Sequence, residues 1–222
     1  MTDITGNIIS LKQQIPSSVK IVAVTKTRTA SDIMVAYHAG LRCFGENHVQ
    51  ELLLKKNTLP ADIEWHMIGH LQGNKVKQIV PFIGMLQSVD SLKLLRLVNN
   101  ESARINRITR CLLQFHIARE ETKFGFDLED IVHVLESEDY RSLSSVRICG
   151  VMGMATFTDN LNVVRSEFVY LRNCFNALRE KFFTGDTHFT EISMGMSDDF
   201  RIAIEEGSTM IRIGTGIFGD RE

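Results

Sequence analysis

A lysine ends the first strongly apolar segment of the chain, the stretch "IVAVTK" at residues 21–26. Residues 21–24 are small and apolar and predict a buried strand, so that Lys26 follows directly after its end. Partial withdrawal from water disfavours an ammonium group and lowers its pKa, and a neutral amine attacks a carbonyl carbon to form a Schiff base. Lys26 is therefore a candidate nucleophile, and a lysine that extends into solvent at a strand terminus is the alternative.

Two glycine-containing segments in the last part of the chain could bind an anion. The first, "EISMGMSDDF" (191–200), precedes a predicted helix, and the second is "MIRIGTGIFG" (210–219). Glycine lets backbone N–H groups approach a phosphate, and a helix N-terminus offers unpaired N–H groups. We expect a phosphate-binding cup formed by Ser193, Gly195, Met196, Ser197, Gly214, Thr215 and Gly216. Tight turns are the alternative role for the glycines, and Asp198 and Asp199 would repel phosphate unless they point away.

Short apolar segments that alternate with helical patterns must position these groups. The predicted strands cover residues 20–25, 41–44, 64–68, 83–88, 110–117, 146–152, 187–192 and 209–213. Eight strands interleaved with helices predict an α/β fold, a (β/α)8 TIM barrel, although an open doubly wound sheet also alternates in this way. The sequence contains only three prolines and no linker-like segment, so we expect a single domain over residues 1–222.

The clearest helical patterns lie at both ends of the chain. An extra helix is predicted over residues 3–14, before the first strand. Residues 31–39 form a predicted helix that starts at Ser31 and stops at Gly40. An amphipathic helix is predicted over 160–182, and another over 198–206 with Ser197 as its N-cap.

Closure of a barrel would bring the lysine and the phosphate cup together. Strand 8 neighbours strand 1 in a closed barrel, and both groups follow the carboxyl ends of their strands, where barrels carry their working residues. A ligand with an aldehyde and a phosphate would span them, as pyridoxal 5′-phosphate does. Arg212 shares a strand face with Gly214 and could meet the pyridine nitrogen, which it would keep unprotonated. An outward arginine paired with a helix carboxylate is the alternative.

Further polar and sulfur-containing residues follow other predicted strands. We expect Asn47 near a ring substituent and Met152, with Met154, lining the ring pocket, although both methionines also fit a plain core. Lys123 is either a solvated lysine or a second amine on the same rim. His66 and His70 lack the helical spacing of a zinc pair, and His66 is better explained as a core histidine, so no metal is expected.

The composition excludes several classes of protein. The chain of 222 residues has a formal net charge of −2, which gives no basic field for nucleic acid or an anionic membrane. Its apolar runs are far shorter than the roughly 20 residues of a membrane helix, and its first residues do not resemble a signal peptide. The four cysteines form no C-x-x-C pair and predict reduced thiols. A cytoplasmic protein is expected.

Six motifs together resemble the pyridoxal phosphate homeostasis protein family, whose members are single-domain relatives of the N-terminal barrel of alanine racemase. The matching stretches occur in the family's order: "AVTK", "FGENHVQE", "WHMIGHLQGNK", "TKFG", "SMGMSDDF" and "GSTMIRIGTGIFG". The resemblance implies that Lys26 carries the cofactor as a Schiff base and that residues 193–197 and 214–216 hold the phosphate. It also implies that Arg212 faces the ring nitrogen and that Lys123 takes part in secondary cofactor handling. "MGMATF" departs from the commoner family sequence.

The function implied by the resemblance is binding rather than catalysis. Alanine racemase needs a second domain and a tyrosine from a dimer partner, whereas Tyr37, Tyr140 and Tyr170 fall away from the predicted rim. We expect a non-catalytic carrier that acts in vitamin B6 and amino-acid homeostasis, is a monomer and delivers pyridoxal 5′-phosphate to apoenzymes. A small racemase or related enzyme is the main alternative, and a Schiff-base aldolase is another.

Overall fold

Eight parallel strands pair in chain order and close into a barrel, because the last strand also pairs with the first. The computed structural model describes residues 2–118 and 124–220. The strands are β1 (Lys20–Val24), β2 (Cys43–Glu46), β3 (Glu64–Met67), β4 (Met85–Val89), β5 (Thr109–Phe115), β6 (Val146–Gly153), β7 (Glu191–Ser193) and β8 (Met210–Ile213). The closed barrel predicted from the sequence is confirmed, and the open sheet is excluded.

Helices cover the outside of the barrel. They are α1 (Ile4–Gln14), α2 (Ala30–His38), α3 (Val49–Thr58), α4 (Val76–Ile79), α5 (Leu92–Arg104), α6 (Leu128–Glu136), α7 (Glu138–Arg141), α8 (Leu161–Phe182), α9 (Phe200–Glu205) and α10 (Thr215–Phe218), and a 3₁₀ turn covers Gly73–Lys75. Within the two described ranges, no helix is both long and apolar enough to cross a membrane. The extra N-terminal helix is present as α1.

Some predicted boundaries were wrong. β2 begins at Cys43 rather than at residue 41, and β7 is limited to 191–193 rather than 187–192. Helix α2 is capped by Thr29 rather than by Ser31, because the Thr29 hydroxyl accepts from the Asp32 amide while the Asp32 carboxylate accepts from the Thr29 amide. Helix α9 begins after Asp199, so Ser197 is not its N-cap.

Side chains alternate between the barrel interior and the helical layer. The interior contains a small apolar cluster of Val22, Cys43, Met85, Leu112, Cys149, Met152 and Met210. The larger core, between the strands and the helices, contains residues such as Ala23, Phe44 and Phe168. All four cysteines are free thiols and buried, as expected. The interior is therefore filled with side chains, and the working surface is the rim at the carboxyl ends of the strands.

Candidate functional site

Lys26 lies two residues beyond the carboxyl end of β1, in a turn on that rim. Its side chain is half-buried, whereas Val22 and Ala23 before it are fully buried. Val24 pairs with Gly45 at the end of β2, so the Lys26 turn neighbours the segment that contains Glu46 and Asn47.

An ion-pair cluster beneath Lys26 fixes this turn. The Lys55 ammonium donates to the Thr25 carbonyl (2.7 Å), to Glu46 Oε1 (2.7 Å) and to Glu51 Oε2 (3.1 Å). The Thr25 hydroxyl also donates to Glu46 Oε1, and the amide of Thr27 donates to Glu51 Oε2 at 2.8 Å. Both residues that flank Lys26 are thus held by side chains of β2 and α3.

Thr27 shows that the turn is strained as well as anchored. Its φ of 65° lies in the left-handed region, which costs a β-branched residue of order 1–3 kcal/mol. The Glu51–Thr27 bond helps to offset that cost. Sequence reasoning missed the roles of Lys55, Glu51 and Thr27. The available signal was the spacing of Glu51 and Lys55, four residues apart on one helix.

The two glycine loops lie side by side on the same rim as Lys26. Ala23 pairs with Ile213, which brings the end of β1 next to Gly214, and a Cβ on Gly214 would lie 3.6 Å from Val24 Cβ. The predicted juxtaposition of Lys26 and the 214–216 loop is therefore present in the fold.

Direct hydrogen bonds join the two loops. The amide of Gly216 donates to Ser197 Oγ at 3.1 Å, and the amide of Arg212 donates to the Gly195 carbonyl at 2.9 Å. Gly195 adopts φ +96°, and a Cβ there would lie 2.5 Å from Ala203 Cβ. A side chain at position 195 would thus need both an unfavourable backbone conformation and space that α9 occupies.

An aspartate binds one amide of the first glycine loop. The amide of Met196 donates to Asp199 Oδ1 at 2.5 Å, and burial raises the pKa of the Asp199 carboxyl. Asp198 is exposed. The carboxylate of Asp199 therefore accepts from one amide of the first loop, which leaves that amide without a proton to offer another acceptor.

Arg212 lies inside the barrel. Its Nη1 donates to the carbonyl and hydroxyl of Ser193 (2.8 and 2.7 Å), and its Nη2 donates to the Gly153 carbonyl (2.9 Å). The residue is only 3% exposed, and burial lowers its pKa to about 10, which still leaves it protonated at neutral pH. A buried cation whose hydrogen bonds go to carbonyl and hydroxyl oxygens is suited to a neutral or anionic acceptor. The alternative of an outward arginine paired with a helix carboxylate is therefore excluded.

Asn47 supplies a buried acceptor at the neighbouring part of the rim. Its Oδ1 is buried without a hydrogen-bond partner among the residues that the structure describes. A cavity of about 430 Å³ borders it, lined also by His48, Gly69, His70 and Lys75. A buried unpaired amide oxygen costs free energy unless a ligand or water donates to it.

The remaining predicted residues have less direct placements. Met152 is fully buried within the interior cluster, and Met154 packs against that cluster. Lys123 lies outside the described residues. His66 is buried in the barrel, whereas His70 bonds Asp90 at 2.9 Å, so the two histidines have separate partners. The ring role of Met152 stays a prediction.

The fold and this rim define an alanine racemase-type barrel with a lysine and paired glycine loops. The family described as alanine racemase, N-terminal domain, matches residues 1–222. An alanine racemase structure from Clostridium difficile has a TM-score of 0.75 at 12% identity, covering 99% of this chain and 57% of that one, a likeness of fold alone.

Relatives of similar length give a narrower assignment. A pyridoxal phosphate homeostasis protein of Synechocystis sp. is 37% identical over 209 residues, which cover 93% of this chain and 94% of the relative. The Homo sapiens protein of that name is 36% identical over 213 residues, covering 91% and 77%. The structure of PipY from Synechococcus elongatus with pyridoxal phosphate (PLP) bound has a TM-score of 0.88 at 34% identity, covering 98% and 100%. This chain belongs to the pyridoxal phosphate homeostasis protein family.

Proposed function

We propose that this protein binds pyridoxal 5′-phosphate through Lys26 and acts in intracellular vitamin B6 and amino-acid homeostasis without catalytic turnover of its own. The main support is the arrangement of Lys26, the loops 195–197 and 214–216, and Arg212 around one rim of the barrel. The names of the relatives and the cofactor in the PipY structure support the same ligand.

Two observations test whether the residues fit this cofactor. The buried Asn47 Oδ1 offers an acceptor to a ring hydroxyl. Arg212 offers only donors, which suits an unprotonated pyridine nitrogen. The unpaired Asn47 oxygen and the donor-only guanidinium of Arg212 together suit a polar aromatic ligand.

Different residues of the rim contact different parts of such a ligand. Lys26 Nζ is the nucleophile for the aldehyde carbon, and Schiff-base formation releases one water. Backbone N–H groups of the two loops at Gly195, Gly214 and Thr215, with the Ser197 hydroxyl, hold the phosphate. Met196 and Gly216 complete the loops, and their amides bond Asp199 and Ser197. The Ser193 hydroxyl is bonded within the barrel and contributes by positioning Arg212. When bound, the cofactor supplies an electrophilic carbon and an electron-withdrawing ring.

A carrier role is supported by what surrounds the rim. Arg212 would keep the ring nitrogen unprotonated and the ring a weak electron sink. The three tyrosines lie on α2, α7 and α8 on the outside of the barrel. We propose a cytoplasmic monomer that transfers the cofactor to PLP-dependent apoenzymes, with Lys123 as a second amine that takes part in that transfer.

Visible absorbance tests the proposal. Titration with pyridoxal 5′-phosphate should give a yellow protein, and Lys26→Ala should abolish the band. Lys20→Ala is a matched control, because Lys20 lies on the same strand at the opposite end of the barrel. A wild-type protein that stays colourless would overturn the binding proposal. Racemisation or decarboxylation of an amino acid at ordinary enzymatic rates, ~1–10³ s⁻¹, would overturn the carrier role.

A further inference from the structure

A chain of hydrogen bonds crosses the barrel interior beneath Arg212. Arg212 Nη1 donates to Ser193 Oγ (2.7 Å), and Ser193 Oγ donates to Gln87 Oε1 (2.7 Å). Gln87 Nε2 lies 2.8 Å from His66 Nδ1, and His66 Nε2 lies 3.1 Å from Glu64 Oε1 at the amino-terminal end of the barrel. Ser193, Gln87 and His66 are fully buried. We call these three residues the relay.

The donor-only character of Arg212 fixes the direction of every bond in the relay. Since Arg212 must donate to Ser193 Oγ, the single hydroxyl proton of Ser193 points to Gln87 Oε1. The amide of Gln87 then presents its NH₂ group to His66, so His66 Nδ1 is the acceptor. The remaining ring proton lies on Nε2 and points to the acceptor-only carboxylate of Glu64. A cation at one end and an anion at the other align the whole chain.

The surroundings of His66 favour the neutral form of its imidazole ring. Desolvation lowers the pKa of His66, and the hydrogen bond from His66 lowers the pKa of Glu64 to about 2. The groups that face these two residues are Cys43, whose Sγ lies 3.4 Å from His66 Nε2, together with Lys20 and Arg110. Protonation of His66 at Nδ1 would place two donors against each other at the Gln87 contact.

We propose that Ser193, Gln87 and His66 are positioning residues: through hydrogen bonds inside the barrel they hold the guanidinium of Arg212 in place and so set the affinity and ring protonation of the bound cofactor. This proposal rests on the proposed function. Gln87 is the central member, because it joins β4 to β7 across the interior and also contacts Met210 Sδ on β8 at 3.1 Å. Aligned hydrogen bonds in a buried site polarise one another, so loss of the central member affects both ends.

Two substitutions of Gln87 test the proposal by spectroscopic titration with pyridoxal 5′-phosphate. Gln87→Met removes the relay bonds at similar volume and should weaken binding about tenfold, the equivalent of one hydrogen bond. Gln87→Glu adds a carboxylate that offsets the charge of Arg212. The pyridine nitrogen of the bound cofactor should then become protonated at a higher pH, which its absorbance reports. Met85→Leu is the control, because Met85 is a buried interior neighbour of His66 outside the relay. Wild-type affinity and pH profile in both Gln87 variants would overturn the proposal.

Nitrogen-15 NMR of His66 in the cofactor-free protein separates failure of the relay from failure of the proposed function. The relay predicts a neutral ring with its proton on Nε2, and Nδ1 should take up a proton only at a lower pH than in an ordinary histidine of pKa about 6.5. An Nδ1–H tautomer or an ordinary titration would overturn the relay even if the protein binds the cofactor. A colourless wild-type protein with the expected tautomer would overturn only the proposed function.

Discussion

Substitution of Lys55 by methionine should destabilise the protein strongly, because it leaves a buried carboxylate without its cation. The Glu46 side chain has no exposed area, that of Lys55 is 11% exposed, and Glu46 Oε2 has no hydrogen-bond partner within the described ranges. Removal of one partner from a buried ion pair typically costs 3–5 kcal/mol. Because Thr25 still donates to Glu46 and the carboxyl can take up a proton, we expect a loss of about 3 kcal/mol at pH 8.

The destabilisation caused by Lys55→Met should depend on pH, because Glu46 can take up a proton. Burial raises the pKa of Glu46 above its ordinary 4.5, so the folded protein binds more protons than the unfolded chain between these two values. Stability contributed by that proton is present below pH 4.5 and is lost as the pH rises through the folded pKa. Lys55→Met raises the folded pKa further. The destabilisation should therefore be smaller at pH 5.5 than at pH 8.

Urea unfolding of matched variants measures the effect. Lys56→Met is the control, because Lys56 is the exposed neighbour on α3, and its loss should cost no more than about 1 kcal/mol. The double variant Lys55→Met with Glu46→Gln should recover part of the stability, since no buried charge then remains. Equal unfolding curves for Lys55→Met and Lys56→Met at both pH values would refute the reasoning.

Three further changes probe the rim. Arg212→Gln removes the buried cation, so absorbance titration should show a ring nitrogen that protonates more readily and weaker cofactor binding; an unchanged spectrum would mean that Arg212 does not act on the ring. Gly195→Ala combines a positive φ with a contact to Ala203 and should lower the free energy of unfolding by about 2 kcal/mol in urea. Ser197→Ala removes the acceptor of the Gly216 amide and should lower the free energy of unfolding by about 1 kcal/mol. Cofactor titration of Ser197→Ala should show about fivefold weaker binding, and full affinity would exclude a phosphate contact.

Much of the fold could be predicted because its signals are local. Each strand is a short apolar run, each intervening segment has a helical pattern, and the number of strands indicates a barrel. Lys26 and the glycine loops could be predicted for the same reason, since each follows its own strand. Closure then required only that strand 8 lie beside strand 1.

The first residues of the helices were harder to predict, because several neighbouring residues in the sequence can serve as the N-cap. Thr29 and Ser31 are both good N-cap residues, and the capping box of Thr29 with Asp32 decides between them. Asp199 rather than Ser197 precedes α9, because the Ser197 hydroxyl is used by the second loop.

The supporting residues could not be predicted, because their partners lie far away in the chain. Gln87 and Ser193 are separated by 106 positions, and only the cross-section of the closed barrel brings them together. Lys55 appears in the sequence as one of two adjacent helix lysines. Its inward direction, which places it under Lys26, depends on how α3 packs against the barrel.

Borohydride reduction followed by peptide mass mapping tests the central claim most directly. Reduction of the cofactor-loaded protein should fix one phosphopyridoxyl group on the peptide that contains Lys26, and Lys26→Ala should carry none. A label found mainly on Lys123 or another lysine, or no label on a yellow wild-type protein, would contradict the assignment of Lys26 as the covalent attachment site.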